Sequence, residues 1–243
     1  MARFFAPALA TATAPGEELE LPPDEAHHFL RVLRGQRGDA VVLFDGDGLA
    51  AAATVIEATK RAVRVRLDAV QQDDPPAVRL TVCVAPPKGD RFRWLVEKLT
   101  ELNVARVQPI VTARSVTDPG LKKLDKLRGT SLAACKQCGR SRLMTIDEPA
   151  PLGEALAEVA RGAGWVATLR EKVGDEPDAP NAIDRWAFIG PEGGWTDDEE
   201  QAMASLAPLR FGPTVLRTET AAIAAAVRLG ETGLPASADG TTP

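Results

Sequence analysis

The sequence predicts an α/β protein whose larger part is a mostly parallel sheet, preceded by a small β-rich unit. Three observations predict it. Beyond Pro76 short apolar runs alternate with helical periodicity, the signature of strand–helix–strand units. Before Gln71 the runs are short, close together and largely of period two. Between them Gln71 to Pro76 is polar and ends in prolines, which marks a domain boundary. The 243 residues, 44% hydrophobic, suffice for one large core or two modest ones. These boundaries give an N-terminal domain over 1–72, a second over 77–233 and a disordered tail over 234–243.

In the first domain Glu18 to Leu21, Ala40 to Phe44, Ala51 to Ile56 and Ala62 to Leu67 read as strands, with a tight turn at Asp45-Gly46-Asp47-Gly48. Val63, Val65 and Leu67 alternate with Arg64 and Arg66, which makes one face apolar and the other basic. Asp24 to Arg34 is the exception, because Ala26, Phe29, Leu30 and Leu33 recur at helical spacing. In the second domain Leu80 to Ala85 is a buried-type strand, and Phe92, Leu95, Val96, Leu99 and Leu102 form the apolar stripe of a helix. Val107 to Val111 is a strand, Leu121 to Cys138 a basic helix stopped by Gly139, and Leu152 to Ala160 a further helix. Trp165 to Leu169 and Trp186 to Ile189 complete the strands. Two glycine turns follow, each feeding a helix.

The net charge of −5 argues by itself against a nucleic-acid partner, but its distribution does not. Thr81 to Arg142 carries 13 Lys and Arg against 5 Asp and Glu, whereas Leu143 to Pro243 carries 7 against 17. A basic middle suits a polyanion, although a salt-bridged helix face fits the charge equally well. No apolar run is long enough to cross a bilayer, and Met1 is not followed by a signal-peptide pattern, which points to the cytosol. Three cysteines make no disulfide framework. Cys135 and Cys138 have metal-like spacing but no second ligand pair, and His27 and His28 fit solvated or packed roles, so no metal is expected.

The sharpest chemical signal is Phe188-Ile189-Gly190-Pro191-Glu192-Gly193-Gly194-Trp195, a strand entering a glycine loop. Such loops let backbone groups approach a ligand closely. Its spacing is not the dinucleotide fingerprint, and no P-loop occurs in the chain. Thr196 and Glu199 form a capping box, and Asp197, Asp198, Glu199 and Glu200 fill the first helical turn. Those acids would repel a phosphate, so a neutral or cationic ligand is expected. The second turn runs Phe211-Gly212-Pro213-Thr214-Val215-Leu216-Arg217-Thr218. There Thr218 reads as an N-cap, before an Ala-rich helix ending at Gly230.

Six stretches resemble the ribosomal small-subunit RNA methyltransferase E (RsmE) family of SPOUT methyltransferases. They are His28 to Arg34, Phe44 to Gly46, Lys98 to Leu102, Ala133 to Arg140, Ile189 to Gly194 and Val215 to Ala221. The resemblance implies a SPOUT-type parallel sheet with a C-terminal trefoil knot, preceded by a PUA-like RNA-binding β-barrel. It implies S-adenosyl-L-methionine as cofactor, 16S rRNA in the small ribosomal subunit as partner, methylation of N3 of a uridine near the RNA 3′ end, and a homodimer. Carried onto this chain, the cofactor site comprises Leu169, Gly190, Pro191, Glu192, Gly193, Gly194, Phe211, Gly212, Val215, Leu216 and Thr218. Uridine N3 becomes a nucleophile only after losing its proton, so a guanidinium beside the uracil oxygens is expected; Arg217 is the first candidate and Arg3 the second. RNA contacts are expected from Arg31, Arg34, Arg64, Lys122, Lys123, Lys126, Arg140 and Arg142. Lys136 stands where the family commonly has an acid, and Thr214 where it has a basic residue. The competing readings are a SPOUT enzyme acting on another RNA base, and a non-catalytic ribosome-assembly factor.

Overall fold

A computed structural model of the chain describes residues 1–12, 14–115, 121–159, 163–168 and 182–230, and of residues 121–123 the backbone alone. The chain forms two compact units. One comprises Met1–Pro75 with Leu132–Leu143, the other Pro76–Ser131 with Met144–Pro243. Leu169 and the predicted tail lie outside the described residues.

The first unit is built on β1 (Ala2–Phe5), β2 (Glu18–Glu20), β3 (Ala40–Phe44), β4 (Leu49–Ala58) and β5 (Val63–Gln72), in the order β1-β3-β4-β5-β2. β1 pairs with β3 in parallel and the other neighbours are antiparallel. Period-two patterning sets the faces: Val63, Val65 and Leu67 are buried, while Arg64 and Arg66 are exposed. Phe4, Leu43 and Val55 join that core, with Leu9 delivered by a 3-10 turn at Pro7–Thr11. The predicted helix begins as α1 (Pro23–His27) and continues as a π turn at His28–Val32, which carries Phe29 inward.

Arginines and one lysine hold the 132–143 segment within this unit. Lys136 forms an ion pair with Glu25, itself only 6% exposed, so the departure from the family pattern has a partner. Arg3 donates from Nη2 to Ser141 Oγ at 3.0 Å and lies 5.3 Å from the centre of the Phe44 ring. Arg142 donates to the Asp47 carbonyl at 2.5 Å and the Asp73 carbonyl at 2.9 Å. Gly48 makes that close approach fit. Its φ is +104°, and a Cβ there would stand 2.5 Å from the Arg142 guanidinium.

The second unit is a parallel sheet of β6 (Arg79–Val84), β7 (Arg106–Val111), β8 (Thr145–Ile146), β9 (Ala150–Pro151), β10 (Ala163–Ala167), β11 (Asp184–Ile189) and β12 (Ala207–Leu209). The order is β12-β10-β11-β6-β7-β8, with β9 also on β7. Alternation along β6 divides the core between two faces. Leu80, Val82 and Val84 pack with α2 (Arg91–Glu101), α3 (Leu121–Cys138) and α6 (Thr218–Leu229). Cys83 and Ala85 pack with α4 (Leu152–Glu158) and the region of α5 (Asp197–Ala202). The predicted stripe of α2 is the buried one, with Phe92, Leu95, Val96 and Leu99 at 5% exposure or less. Among the described residues no helix is long and apolar enough to cross a membrane.

Candidate cofactor cleft

Three neighbouring parallel strands, β12, β10 and β11, end side by side, and the segments leaving them enclose a cleft of about 990 Å³. Its lining comes from Ala167 and Thr168 after β10, Ile189 to Glu192 with Gly194 and Trp195 after β11, and Arg210 to Thr218 after β12. The carboxyl ends of strands in open α/β sheets are where ligands bind, because loops there converge on one crevice. Of the predicted cofactor residues, Gly190, Pro191, Glu192, Gly194, Phe211, Gly212, Val215, Leu216 and Thr218 all line it. Gly193 is not among the lining residues; its carbonyl accepts from Arg114. Leu169 is outside the described residues.

The glycine loop is tightly tied. Gly190 lies against the Trp195 indole so closely that a Cβ would come within 2.9 Å of the ring. Trp195 is 8% exposed and donates from Nε1 to the Ala167 carbonyl at 3.2 Å, which joins the loop to β10. Gly194 N donates to the Pro191 carbonyl at 2.8 Å, and the turn closes with Gly194 at φ +69°. Arg114 donates to the carbonyls of Gly193 at 2.8 Å and Trp195 at 3.1 Å. Thr196 then caps α5 with the expected capping box.

At the second turn the N-cap differs from expectation. Arg217 occupies that position, and Thr218 is the first helical residue. The Thr218 hydroxyl donates instead to the Gly190 carbonyl at 3.1 Å, so it stitches the two walls of the cleft together. The Ala-rich face of α6 is also used internally, with Ala222, Ala225 and Ala226 buried in the sheet core.

Charge is distributed unevenly around the cleft. Arg91 bonds Glu192 and holds its carboxyl below the usual carboxylate range, with smaller help from Lys88 and Arg217. Arg217 is exposed, and among the described residues its guanidinium has no hydrogen-bond or ion-pair partner. It can therefore stabilise an anion in the cleft without first breaking a bond. Sequence reasoning missed Arg91 and Arg114. Their partners lie 101 and 79 residues away, and no local signal marks such contacts.

The other predicted residues fall into distinct environments. Arg3, with its serine and phenylalanine partners, belongs to the first unit. Arg31 and Arg34 are exposed there, Arg34 at φ +54°. Arg64 is paired with Glu18 at 2.5 Å and Glu57 at 3.7 Å. Arg140 is half-buried, and desolvation lowers its pKa, with repulsion from Arg142 adding to the effect against the pull of Cys135 and Cys138. Arg142 is pinned under the Asp45–Gly48 turn. Lys126 is exposed on α3, whereas the side chains of Lys122 and Lys123 lie outside the described residues. Among the described residues no group of three or more His, Cys, Asp or Glu is placed to hold a metal ion.

The chain combines a small β unit with a parallel α/β sheet whose strand ends carry a cleft, an α/β architecture in which ligands bind at that edge. Residues 74–230 match the RNA methyltransferase domain, and residues 21–68 match the RNA methyltransferase PUA domain. The ribosomal RNA small subunit methyltransferase E of Mycobacterium bovis is 33% identical over 226 residues, covering 87% of this chain and 84% of that protein. The protein of the same name from Synechocystis is 29% identical over 232 residues, covering 89% and 75%. The crystal structure of the Neisseria gonorrhoeae ribosomal RNA small subunit methyltransferase E, bound to S-adenosyl methionine, matches with a TM-score of 0.83. It is 28% identical and covers 94% of this chain and 96% of that one. The chain belongs to the RNA methyltransferase family, in the ribosomal RNA small subunit methyltransferase E group.

Proposed function

We propose that the cleft binds S-adenosylmethionine and that the enzyme methylates N3 of a uridine near the 3′ end of 16S ribosomal RNA. The observation that carries this reading is the cleft itself, lined by glycine backbone; similar proteins from Legionella pneumophila and Neisseria gonorrhoeae have been solved with S-adenosylmethionine bound. The residues fit the group. Cβ atoms built on Gly194 and Gly212 meet nothing within 4 Å, so ligand atoms have access to the backbone there. Ile189, Phe211, Val215 and Leu216 offer apolar contact for an adenine ring. Glu192 and Glu200 suit a ligand that is cationic and lacks phosphate, and the acids of α5 exclude a nucleotide phosphate from its N-terminus.

When bound, the cofactor supplies an electrophilic methyl group. The chain's own residues have two tasks, to hold the target base in line and to stabilise the negative charge left on uracil when N3 loses its proton. Arg217 performs the second. Its guanidinium, without a hydrogen-bond or ion-pair partner among the described residues, lies at the cleft and stabilises charge that develops only in the reaction. Arg3 is the weaker candidate, since its guanidinium already has partners. The base itself must leave its stack to be reached. Among the RNA-facing residues Arg31, Arg34 and Lys126 carry exposed charges, and binding through phosphates will weaken steeply with salt. Mass mapping of 16S nucleosides from a deletion strain tests the reaction. Loss of one 3-methyluridine supports it, and an unchanged nucleoside profile contradicts it.

The reading includes the knotted chain path, a cytoplasmic site of action and a homodimer. For the dimer, the support is apolar surface on two helices that pack together, with Trp94 of α2 46% exposed and Val227 of α6 56% exposed. Light scattering at micromolar concentration decides between dimer and monomer.

A further inference from the structure

Arg91 is the first residue of α2, where unpaired backbone N–H groups make the local field positive and an acidic side chain is favoured. This helix has no acid in its first turn, and Asp90 at its N-cap makes no side-chain capping bond. A guanidinium there opposes the helix's own preference, so its placement answers to something outside the helix. The contacts show what that is. Nε donates to the Lys88 carbonyl at 3.3 Å, Nη1 donates to Glu192 Oε1 at 2.5 Å, and Nη1 also stands 3.5 Å from Glu219 Oε1. One planar cation therefore joins the segment before α2, the glycine loop and the first turn of α6, while lining the cleft itself.

Its two carboxylate partners differ. Glu192 is half-exposed and also feels Lys88 and Arg217. Glu219 is only 7% exposed, and its second oxygen has no hydrogen-bond partner among the described residues. Burying a carboxylate without a partner is costly, and among the described residues Arg91 is the ion-pair partner of Glu219.

We propose that Arg91 is a positioning residue of the cofactor cleft. By gripping Glu192 and Glu219 together it fixes the glycine loop against the start of α6. It thereby sets the affinity for S-adenosylmethionine and the place of Arg217, two residues before Glu219. The inference rests on the reading of the cleft given above.

Calorimetric titration of the full chain with S-adenosylmethionine, beside melting curves, tests it. Arg91→Met alone leaves Glu219 without its cation and lowers stability. The double variant Arg91→Met with Glu219→Gln removes the buried charge as well and keeps a folded protein for titration. That variant is expected to melt near the wild type and to bind the cofactor about tenfold more weakly or worse. Glu192→Gln should lose several-fold affinity without a change in melting. Adding Arg91→Met to Glu192→Gln should then cost little more, because the two residues act through one contact. Wild-type affinity in both folded variants overturns the proposal. So does an affinity loss that only tracks melting temperature, which is the mark of a merely structural arginine. If the wild type itself binds no cofactor, the reading of the cleft falls and the proposal with it.

Discussion

Trp195, Arg114 and Arg91 tie down one wall of the cleft, whereas the other wall, from Phe211 to Arg217, leaves Val215 74% exposed and Arg217 without a partner among the described residues. The Thr218 hydroxyl, donating to the Gly190 carbonyl, is one bond that joins the two walls. Held groups can be placed before the ligand arrives, so the glycine loop suits the task of shaping a cofactor pocket. An exposed wall with an unpaired guanidinium suits a task that begins only when RNA arrives. On the reading proposed above, the ordered wall serves cofactor binding, while the open wall shares in that binding and also carries the arginine assigned to the chemistry.

Mutations should separate the walls, and the largest effect is expected on the ordered one. Trp195→Ala removes the ring that packs against Gly190 and the donor to Ala167, and should cost about 3–5 kcal/mol of stability, read from denaturant unfolding. Cofactor binding should fail along with it. Retained stability would show that the loop does not depend on the indole.

On the open wall Arg217→Ala should leave melting and cofactor affinity near wild type while lowering single-turnover methylation about a hundredfold, roughly 3 kcal/mol in the barrier. A defect that is wholly one of stability would move Arg217 to the structural side of the comparison. The smallest effect belongs to Val215→Ser. Its stability should stay within about 0.5 kcal/mol of wild type, because the side chain is mostly in water. Cofactor affinity should fall a few-fold through the lost apolar contact, and a larger drop in melting would mean that this wall is more tightly packed than its exposure indicates.

Local features were legible in the sequence. The glycine loop, the Thr196 capping box, the buried stripe of α2 and the stop at Gly139 each depend on residues close together in the chain. Features that depend on distant pairing were not. β1 has four residues and pairs in parallel with β3, about forty positions later, and β12 has three residues with a proline among them. Neither is long enough to show a period. Thr218 shows the same limit at the site: its type and place suggested a cap, but its partner is 28 residues earlier. The basic residues divide likewise. Arg31 and Arg34 are exposed as a nucleic-acid surface requires, whereas Arg3 and Arg142 hold the first unit together, a role that sequence charge cannot distinguish.

The central claim is that backbone at the glycine loop forms the cofactor pocket. Gly194 sits at φ +69° with open space where a Cβ would project. Gly194→Val therefore strains the turn and places a branched side chain where ligand is expected, at a cost in the fold of about 1–2 kcal/mol that the unit should survive. Titration calorimetry with S-adenosylmethionine, run on wild type and on folded Gly194→Val, is the direct test. One cofactor bound per wild-type chain and none by the variant is the result expected. Equal binding by both would contradict the pocket, and no binding by the wild type would contradict the function.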